Sequence, residues 1–344
     1  MRYPEFLKDG GRVGFIAPSF GCTGEYYGSL FERAVERFQE EGYRTVEGPN
    51  CRLSEGIGKS STPEKCAAEI NDFFMNDRCD VILSCGGGET MCEDLPFVDF
   101  EGIRKAKPHW YMGYSDNTNL TFTLPVLCDT AAIYGPCAPK FSMQPRHPAI
   151  ADALSLLRGE KLTVKNYEKW EKEGLPEDAD IFLPWNTTED FLLQAFEGPE
   201  PVKKTWMSGR LLGGCLDCLA VLCGTKYDRV REFNEKYKED GVLWFLESCD
   251  LNPLSIRRVL WQLREAGWFS SAKGFLIGRP LHYEEELMGM DRINAVTGIL
   301  GDLGVPIVMD LDIGHLPPQM PLISGAFAEA DVLGNAIEVR MFLR

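Results

Sequence analysis

The sequence predicts an α/β protein whose first half forms a parallel, doubly wound sheet. Short apolar runs alternate with stretches of helical period, and glycine, proline or capping residues stand where one pattern gives way to the other. This strand–helix–strand alternation is typical of parallel sheets, in which a crossover helix separates neighbouring strands. Because 344 residues is long for one compact core, we expect two domains.

The first elements follow in chain order. Residues 12–19 (RVGFIAPS) are an apolar run that ends in Pro-Ser, and residues 27–42 carry apolar side chains at helical spacing up to a closing glycine. A helix is predicted over 62–76, because Thr62 can cap it and Pro63 suits its first position. Further strands are predicted over 80–85, 109–115 and 131–136, and further helices over 117–127 and 147–159.

After residue 159 the pattern weakens into a stretch rich in Lys, Glu and Asp. We therefore predict domains over 1–160 and 206–344, with a linker or excursion over 161–205. In the second domain we predict strands over 242–248, 274–280 and 306–315, a helix over 255–267, and a hairpin over 328–342 around a Leu-Gly-Asn turn.

Charge and hydropathy exclude some classes of function. The chain has 36 Lys and Arg against 52 Asp and Glu, a net charge of −16, which disfavours binding to a nucleic-acid backbone. No apolar stretch is long enough to span a bilayer, and the first residues lack a signal-peptide pattern. We expect a cytoplasmic protein with no nucleic-acid or membrane partner.

The twelve cysteines are scattered through apolar segments, as buried thiols are. Cys215 and Cys218 form the single C-x-x-C pair, with no second pair and no nearby histidine to complete a zinc site. We interpret them as residues of a helix face and expect no metal.

Ser115 stands in YMGYSDN (111–117), where a predicted strand passes sharply into a predicted helix. This is the context of a nucleophile elbow, with Asn117 in place of the last glycine of G-x-S-x-G. The helix N-terminus beyond the serine could also stabilise an oxyanion. The alternative is that Ser115 and Asp116 only cap the helix, and spacing does not separate the two.

A nucleophilic serine needs a base, and the chain has four histidines. His315 follows a predicted strand in a loop stiffened by a glycine and two prolines, so it is the first candidate, with His282 the second. Glu247, at the end of an apolar strand, is the candidate for the orienting acid, and Asp250 and Asp310 remain alternatives.

The glycine loop SCGGGET (84–90) also follows a strand. It lacks the Lys-Ser/Thr of a P-loop and the spacing of a dinucleotide fingerprint. Its bare backbone could approach an acyl carbonyl and offer a second oxyanion N–H, opposite the one that follows Ser115.

These segments together resemble the LD-carboxypeptidase family of serine peptidases (family S66), which includes the microcin C self-immunity proteins. The resemblance runs in order along nearly the whole chain, through IAPS (16–19), CGGGE (85–89), MGYSDNTNL (112–120), YGP (134–136), GRLLGGCLDCL (209–219), FLES (245–248), GFLIGRP (274–280) and DIGHLPPQMPL (312–322).

The resemblance implies a Ser-Glu-His triad of Ser115, Glu247 and His315, with an oxyanion hole from the backbone of Gly87 and Asp116. It also implies a Rossmann-like N-terminal domain that carries the nucleophile, a barrel-like α/β C-terminal domain that carries the acid and base, no metal or organic cofactor, and a homodimer.

The substrate is less defined. The glycine loop continues as Glu-Thr-Met-Cys, and GGC (213–215) stands where many relatives have Gly-Gly-Asn. The resemblance favours a murein-type peptide with an L-to-D bond, over an aminoacyl or peptidyl nucleotide; a non-catalytic binding protein would not need all three triad residues. Arg279 could bind a substrate carboxylate, and Trp170, Trp185 and Trp206 could stack on a ligand or, more simply, cover a domain junction.

Overall fold

The computed structural model describes residues 1–344, which fold into two compact units. The first unit comprises Met1–Lys161 and Gly174–Trp185, and the second comprises Leu162–Glu173 and Asn186–Arg344. Both units thus contain part of the segment 161–205. The assignment of a nucleophile domain and an acid–base domain stays a prediction.

The first unit is built on five parallel strands with helices between them. The strands are β1 (Arg12–Ile16), β2 (Arg44–Glu47), β3 (Val81–Ser84), β4 (Trp110–Gly113) and β5 (Ala132–Tyr134). The α-helices are α1 (Gly24–Glu40), α2 (Pro63–Met75), α3 (Phe100–Lys105), α4 (Thr118–Thr121), α5 (Thr123–Cys128) and α6 (Pro148–Leu157). Short 3₁₀ helices span Met91–Glu93, Leu95–Phe97, Ser115–Asn117 and Ala138–Ser142.

These strands lie in the order β5-β4-β3-β1-β2, so the chain changes direction across the sheet between β1 and β3. Val13 of β1 pairs with Thr45 on one side and Val81 on the other. Loops at the carboxyl ends of strands beside such a reversal are the usual ligand-binding position in open α/β sheets. The glycine loop and Ser115 follow β3 and β4 at that edge.

Local sequence explains most of these helices. Thr62 caps α2 by accepting a hydrogen bond from the Lys65 N–H (3.4 Å), and Pro63 occupies its first position, as predicted. The predicted helix over 117–127 is instead a 3₁₀ turn followed by α4 and α5, which break at Phe122. Pro125 lacks the N–H that would bond to the carbonyl of Thr121, which accounts for this break.

The second unit contains a mixed sheet of nine strands and three further strands that lie outside that sheet. Its elements are β6 (Thr163–Lys165), β7 (Lys169–Trp170), β8 (Glu189–Asp190), β9 (Gln194–Glu197), β10 (Glu200–Val202), β11 (Lys204–Cys215), α7 (Leu216–Leu222), α8 (Val230–Lys236), β12 (Val242–Glu247), α9 (Pro253–Glu265), β13 (Ala272–Gly278), α10 (Arg292–Leu300), β14 (Pro306–Leu311), β15 (Leu322–Ser324), β16 (Phe327–Leu333) and β17 (Ala336–Phe342), with 3₁₀ helices at Trp268–Ser271 and Gly301–Leu303.

The nine strands pair in the order β10-β9-β14-β13-β12-β11-β16-β17-β6, and β7 and β8 form a separate pair. Strands β11 to β14 run parallel, whereas β16 and β17 form the predicted hairpin, with Leu333 opposite Ala336. A parallel sheet followed by a second mixed sheet confirms the predicted α/β class. None of the helices combines the length and apolar character that a bilayer crossing requires.

Trp244 of β12 lies at the centre of an aromatic cluster in the second unit. Its ring stacks on Trp268 at 5.8 Å and meets Phe269 edge-on at 5.2 Å, and it is fully buried. We expect Trp244→Ala to lower the free energy of unfolding by about 3–5 kcal/mol, because the vacated volume cannot be refilled. Urea denaturation followed by circular dichroism measures this, with Trp261→Ala as the matched control at an exposed position. Equal denaturation midpoints for the two variants would contradict the assignment.

Candidate active site

Ser115 lies just after the carboxyl end of β4 in a strained backbone conformation. Its φ angle is +59°, a region that non-glycine residues rarely occupy unless their surroundings hold them there. One such restraint is the Ser115 N–H, which donates to the Tyr134 hydroxyl at 3.1 Å, at the end of β5. A sharp, strained strand-to-helix turn is what a nucleophile elbow requires.

The glycine loop packs directly against this serine. A Cβ atom added to Gly87 would lie 3.1 Å from Ser115 Oγ and 3.2 Å from its Cβ. A Cβ on Gly88, whose φ is +150°, would lie only 2.0 Å from Ser19 Oγ. No side chain fits at Gly88, and one at Gly87 would crowd Ser115. The loop therefore brings main-chain groups close to the serine.

The side chain of Asp116 ties together the segments around the nucleophile. Its Oδ2 accepts hydrogen bonds from the Ser19 hydroxyl (2.5 Å) and the Met91 N–H (3.0 Å), and its Oδ1 accepts from the Asn119 amide (3.0 Å). Burial raises the pKa of Asp116, and these donors oppose that rise. From the following helix the carboxylate accepts a hydrogen bond only from the Asn119 side chain and none from a backbone N–H, so the contacts of Asp116 are not those of a helix cap. The sequence indicated Asp116 only as a helix cap or, through its backbone N–H, as part of an oxyanion hole, and not these long-range contacts of its side chain.

A buried ion pair contacts the end of the glycine loop. Lys59 pairs with Asp94, and its ammonium also donates to the Thr90 carbonyl at 3.3 Å, at the end of the glycine loop. Burial raises the pKa of Asp94 to about 7, although Lys59 favours the charged carboxylate. Nothing in the local sequence around Lys59 indicates this contact, because its partners are more than thirty residues away.

A cavity of about 420 Å³ opens beside the glycine loop in the first unit. Its walls include Gly86–Gly88, Tyr114, Lys59 and Lys140. Gly87, one of these wall residues, lies against Ser115, which is itself not part of the wall.

In the second unit the structure brings Glu247 and His315 together. Glu247 is the last residue of β12 and is buried, and its Oε2 lies 2.8 Å from His315 Nδ1. Two glycines enclose the carboxylate. A Cβ on Gly314 would lie 2.5 Å from Glu247 Oε2, and one on Gly278 would lie 3.0 Å from Glu247 Cβ.

The environment of His315 favours its protonated form. Burial alone would lower the pKa of the imidazole, but the negative charge of Glu247 and hydrogen bonds with Cys249 and Glu247 outweigh burial and raise the pKa to about 11. Cys249 stands only two residues after Glu247, but no motif in the sequence indicated that its thiol would contact the imidazole. Burial raises the pKa of the Cys249 thiol.

The alternative candidates from the sequence lie elsewhere. His282 Nδ1 pairs with Glu285 at 3.1 Å near the surface. Asp310 is engaged by the Arg292 guanidinium at 2.7 and 2.9 Å, and Asp250 is exposed. None of these three side chains contacts Glu247 or His315.

The cysteine pair occupies a strand end and a helix. Cys215 ends β11 with its Sγ 3.2 Å from Asp217 Oδ2, and Cys218 lies in α7, so only Cys218 belongs to the predicted helix. No group of three or more His, Cys, Asp or Glu side chains is arranged to hold a metal ion.

Arg279, considered above for a substrate carboxylate, belongs to the interior of the second unit. Its side chain is buried, pairs with Asp312, donates to the Asp310 carbonyl at 2.9 Å and stacks over Trp170 at 5.0 Å. The suggestion that Arg279 binds a substrate carboxylate was therefore wrong, because its guanidinium is already paired with the Asp312 carboxylate.

The other two tryptophans differ in their surroundings. Trp206 is largely exposed on β11. Trp185 lies in the first unit, with its ring 5.0 Å from that of His147 and 5.9 Å from Lys140 Nζ. Of the three tryptophans, only Trp185 therefore contacts a residue of the cavity wall beside the glycine loop.

A strained serine beside a glycine loop, and a buried carboxylate that binds a histidine, are the components of a serine hydrolase. Comparison with models of protein families identifies the family of this chain. It belongs to the LD-carboxypeptidase family, with the model of the N-terminal domain matching residues 13–135 and that of the C-terminal domain matching residues 208–330. Membership confirms the predicted class, a serine peptidase that hydrolyses an amide bond.

Individual relatives are distant but similar over nearly their full length. The microcin C7 self-immunity protein MccF of Escherichia coli is 25% identical over 345 residues, which cover 97% of this chain and 94% of MccF. A Bacillus subtilis protein named "Probable murein peptide carboxypeptidase" is 24% identical over 331 residues, covering 94% and 90%.

Solved structures show the same fold. An MccF-like protein from Bacillus anthracis has a TM-score of 0.83, with 99% of this chain and 100% of that chain covered at 20% identity. MccF in complex with adenosine monophosphate has a TM-score of 0.80, with 99% and 98% covered at 20% identity.

The raised pKa of His315 can be measured directly. We expect the His315 imidazole to remain protonated well above pH 7 in an NMR titration, because the negative charge of Glu247 favours the cation. In Glu247→Gln the pKa of His315 should fall steeply. Burial disfavours the imidazolium, and the carboxylate that stabilised it is gone. Glu285→Gln, which removes the carboxylate beside His282, is the control and should leave the His315 titration unchanged. An unaltered His315 pKa in Glu247→Gln would contradict the assignment.

Proposed function

We propose that the protein is an LD-carboxypeptidase that removes the terminal residue of a murein-type peptide, with Ser115, Glu247 and His315 as its catalytic triad. The observation that carries this proposal is the 2.8 Å contact between buried Glu247 and His315, which gives a general base with its orienting acid. The strained backbone of Ser115 supports its role as the nucleophile.

In this mechanism the neutral imidazole of His315 accepts the proton of the Ser115 hydroxyl as the oxygen attacks the scissile carbonyl. The backbone N–H groups of Gly87 and Asp116 stabilise the oxyanion. His315 then protonates the departing amine, and an acyl-enzyme remains on Ser115. Water repeats the sequence with His315 as its base and releases the shortened peptide.

The protonation of His315 sets the pH dependence. Because Glu247 raises the pKa of His315, only a minority of molecules hold the neutral imidazole near pH 7, and kcat/KM should increase as the pH rises. The same carboxylate stabilises the imidazolium that forms during attack, so a raised pKa also favours the charged intermediate.

The peptide substrate is supported by the family and by one relative. The Bacillus subtilis protein named for murein peptides covers nearly the whole chain. The homodimer implied by the family resemblance, and the cytoplasmic location, stay predictions.

A second candidate substrate is an aminoacyl or peptidyl nucleotide. Solved MccF structures contain adenosine monophosphate, glutamyl sulfamoyl guanosine or aspartyl sulfamoyl adenosine. The feature of this chain that favours such a substrate is Trp185, a half-buried indole in the first unit that could stack on a base. The conjugate would be cleaved by the same acyl-transfer steps at its amide or acyl bond.

Replacing the proposed nucleophile or base tests the triad. We expect Ser115→Ala and His315→Ala each to lower kcat by about 10³-fold or more with the fold intact, because the hydroxyl and imidazole act as one unit. His282→Ala is the matched control, a histidine of the second unit paired with another glutamate, and should retain full kcat. Near-normal turnover by Ser115→Ala would end the triad proposal.

Turnover of two substrates, each measured on its own, decides the substrate class. A murein tetrapeptide and an aminoacyl sulfamoyl-adenylate are incubated separately with the enzyme, and the products are followed by mass spectrometry. We expect the tetrapeptide to have the higher kcat/KM, and Trp185→Ala to leave kcat/KM for the tetrapeptide unchanged. Preferential cleavage of the adenylate, with KM raised by Trp185→Ala, would favour the nucleotide substrate instead.

A further inference from the structure

We propose that Asn117 positions the oxyanion hole relative to the nucleophile, by joining the glycine loop to the turn that carries Ser115. The proposal rests on the mechanism given above, in which the Gly87 N–H stabilises the oxyanion. It adds a residue that does not touch the substrate but sets the spacing of two groups that do. In the sequence, Asn117 is marked only by its place at the last glycine of G-x-S-x-G.

The side chain of Asn117 is fully buried and bridges two separate segments of the first unit. Its Nδ2 donates to the Gly86 carbonyl at 2.8 Å and to the Tyr114 carbonyl at 2.9 Å. Gly86 belongs to the glycine loop after β3, and Tyr114 directly precedes Ser115 after β4. One planar amide group therefore ties the loop to the turn.

The Tyr111 hydroxyl fixes the orientation of this amide. It donates to Asn117 Oδ1, the acceptor of the side chain, so the nitrogen faces the two carbonyls. Gly113 packs so closely on the other side that a Cβ there would lie 2.7 Å from Asn117 Cγ. The amide is therefore held in one position and can act as a rigid connection.

The planar peptide bond carries this restraint to the oxyanion hole. The Gly86 carbonyl and the Gly87 N–H belong to one trans peptide, so they point in opposite directions. A donor that holds the carbonyl therefore also sets the direction of the N–H. Gly87 lies directly beside the nucleophile, since a Cβ on it would be 3.1 Å from Ser115 Oγ.

The second carbonyl bound by Asn117 restrains the nucleophile in the same way. The Tyr114 carbonyl and the Ser115 N–H share a peptide, and that N–H donates to the Tyr134 hydroxyl at 3.1 Å. This peptide is thus held on both sides, next to the residue whose φ angle is +59°. Asn117 therefore connects a restrained nucleophile to a restrained oxyanion donor.

A second donor to the Gly86 carbonyl provides a matched comparison. The Ser84 hydroxyl donates to it at 2.9 Å, but Ser84 ends β3 and belongs to the same segment as the loop. Of these two donors, only Asn117 also binds the turn before Ser115. Removing each donor in turn separates the orientation of the carbonyl from the spacing between loop and nucleophile.

Kinetics of the two variants test the proposal, on whichever of the murein tetrapeptide and the aminoacyl sulfamoyl-adenylate the wild type cleaves. We expect Asn117→Ala to lower kcat about 10²-fold with KM nearly unchanged, because a displaced donor weakens stabilisation of the transition state and not binding of the substrate. Ser84→Ala should retain most of its kcat. Equal losses in the two variants, or no loss in Asn117→Ala, would overturn the proposal.

A milder variant acts on the same amide. Tyr111→Phe removes only the hydroxyl that donates to Asn117 Oδ1, so its ring packing is kept. We expect a smaller loss of kcat than in Asn117→Ala, and no further loss when the two changes are combined, since both act through one side chain. Additive losses would contradict the proposal.

Asn234→Ala is the control for loss of a buried asparagine. The Asn234 amide also donates twice, to the Trp268 carbonyl at 3.0 Å and to the Ser270 hydroxyl at 3.1 Å, within the second unit. This variant should lower the free energy of unfolding and leave kcat unchanged. A matching loss of kcat in Asn234→Ala would show that the kinetic effect follows stability, against the proposal.

Crystal structures of the wild type and of Asn117→Ala need no turnover and separate this proposal from the proposed function. We expect the distance between the Gly87 nitrogen and Ser115 Oγ to change in Asn117→Ala and to be kept in Ser84→Ala. A displaced loop in a protein that cleaves neither substrate would support the positioning role and count against the proposed function. An unmoved loop in Asn117→Ala would overturn the positioning role and leave the proposed function standing.

Discussion

The buried carboxylate of Asp116 holds the nucleophile's surroundings in one arrangement. It binds Ser19 after β1, Met91 after the glycine loop, and Asn119 in α4, so three separate stretches of chain meet at one side chain. A buried carboxylate is costly without donors, and here the donors come from the segments that must be aligned. The strained φ angle of Ser115, one residue earlier, persists because these neighbours leave it little alternative.

In the second unit, close packing of glycine backbone restrains the acid, in addition to its hydrogen bond with the base. Gly278 and Gly314 border Glu247 so closely that side chains there would overlap the glutamate. The carboxylate is thereby kept from water, which strengthens its attraction for the His315 imidazolium. A strong restraint of this kind has a chemical consequence, because the acid that orients the imidazole also makes its neutral form scarcer.

The sequence predicted what depends on local pattern and on position along a strand. The alternation of strands and helices, the Thr62 cap and the C-terminal hairpin could be anticipated, since each is encoded within a few neighbouring residues. The candidates Ser115, Glu247 and His315 could be named because strand ends are where α/β folds place reactive groups. The short strands within 161–205 were not foreseen, because their charged residues carry no clear period.

Contacts between distant residues could not be anticipated. The bonds of Asp116 with Ser19, of Lys59 with Asp94 and of His315 with Cys249 join positions between 35 and 97 residues apart. Arg279 was misjudged for the same reason. It follows a strand, where a binding residue is plausible, but Asp312 neutralises it from a different loop.

The chain passes from one unit to the other more than once. Residues 174–185 return to the first unit after residues 162–173 have already entered the second, and the Gln144 N–H fixes them by donating to the Phe182 carbonyl at 2.6 Å. Neither unit is therefore a continuous stretch of gene. A single recombination between homologues could not exchange one unit whole, and any crossover within 162–185 would separate Trp185 from the Lys140 and His147 side chains that it contacts. We therefore expect the two units to be inherited together and to diverge together.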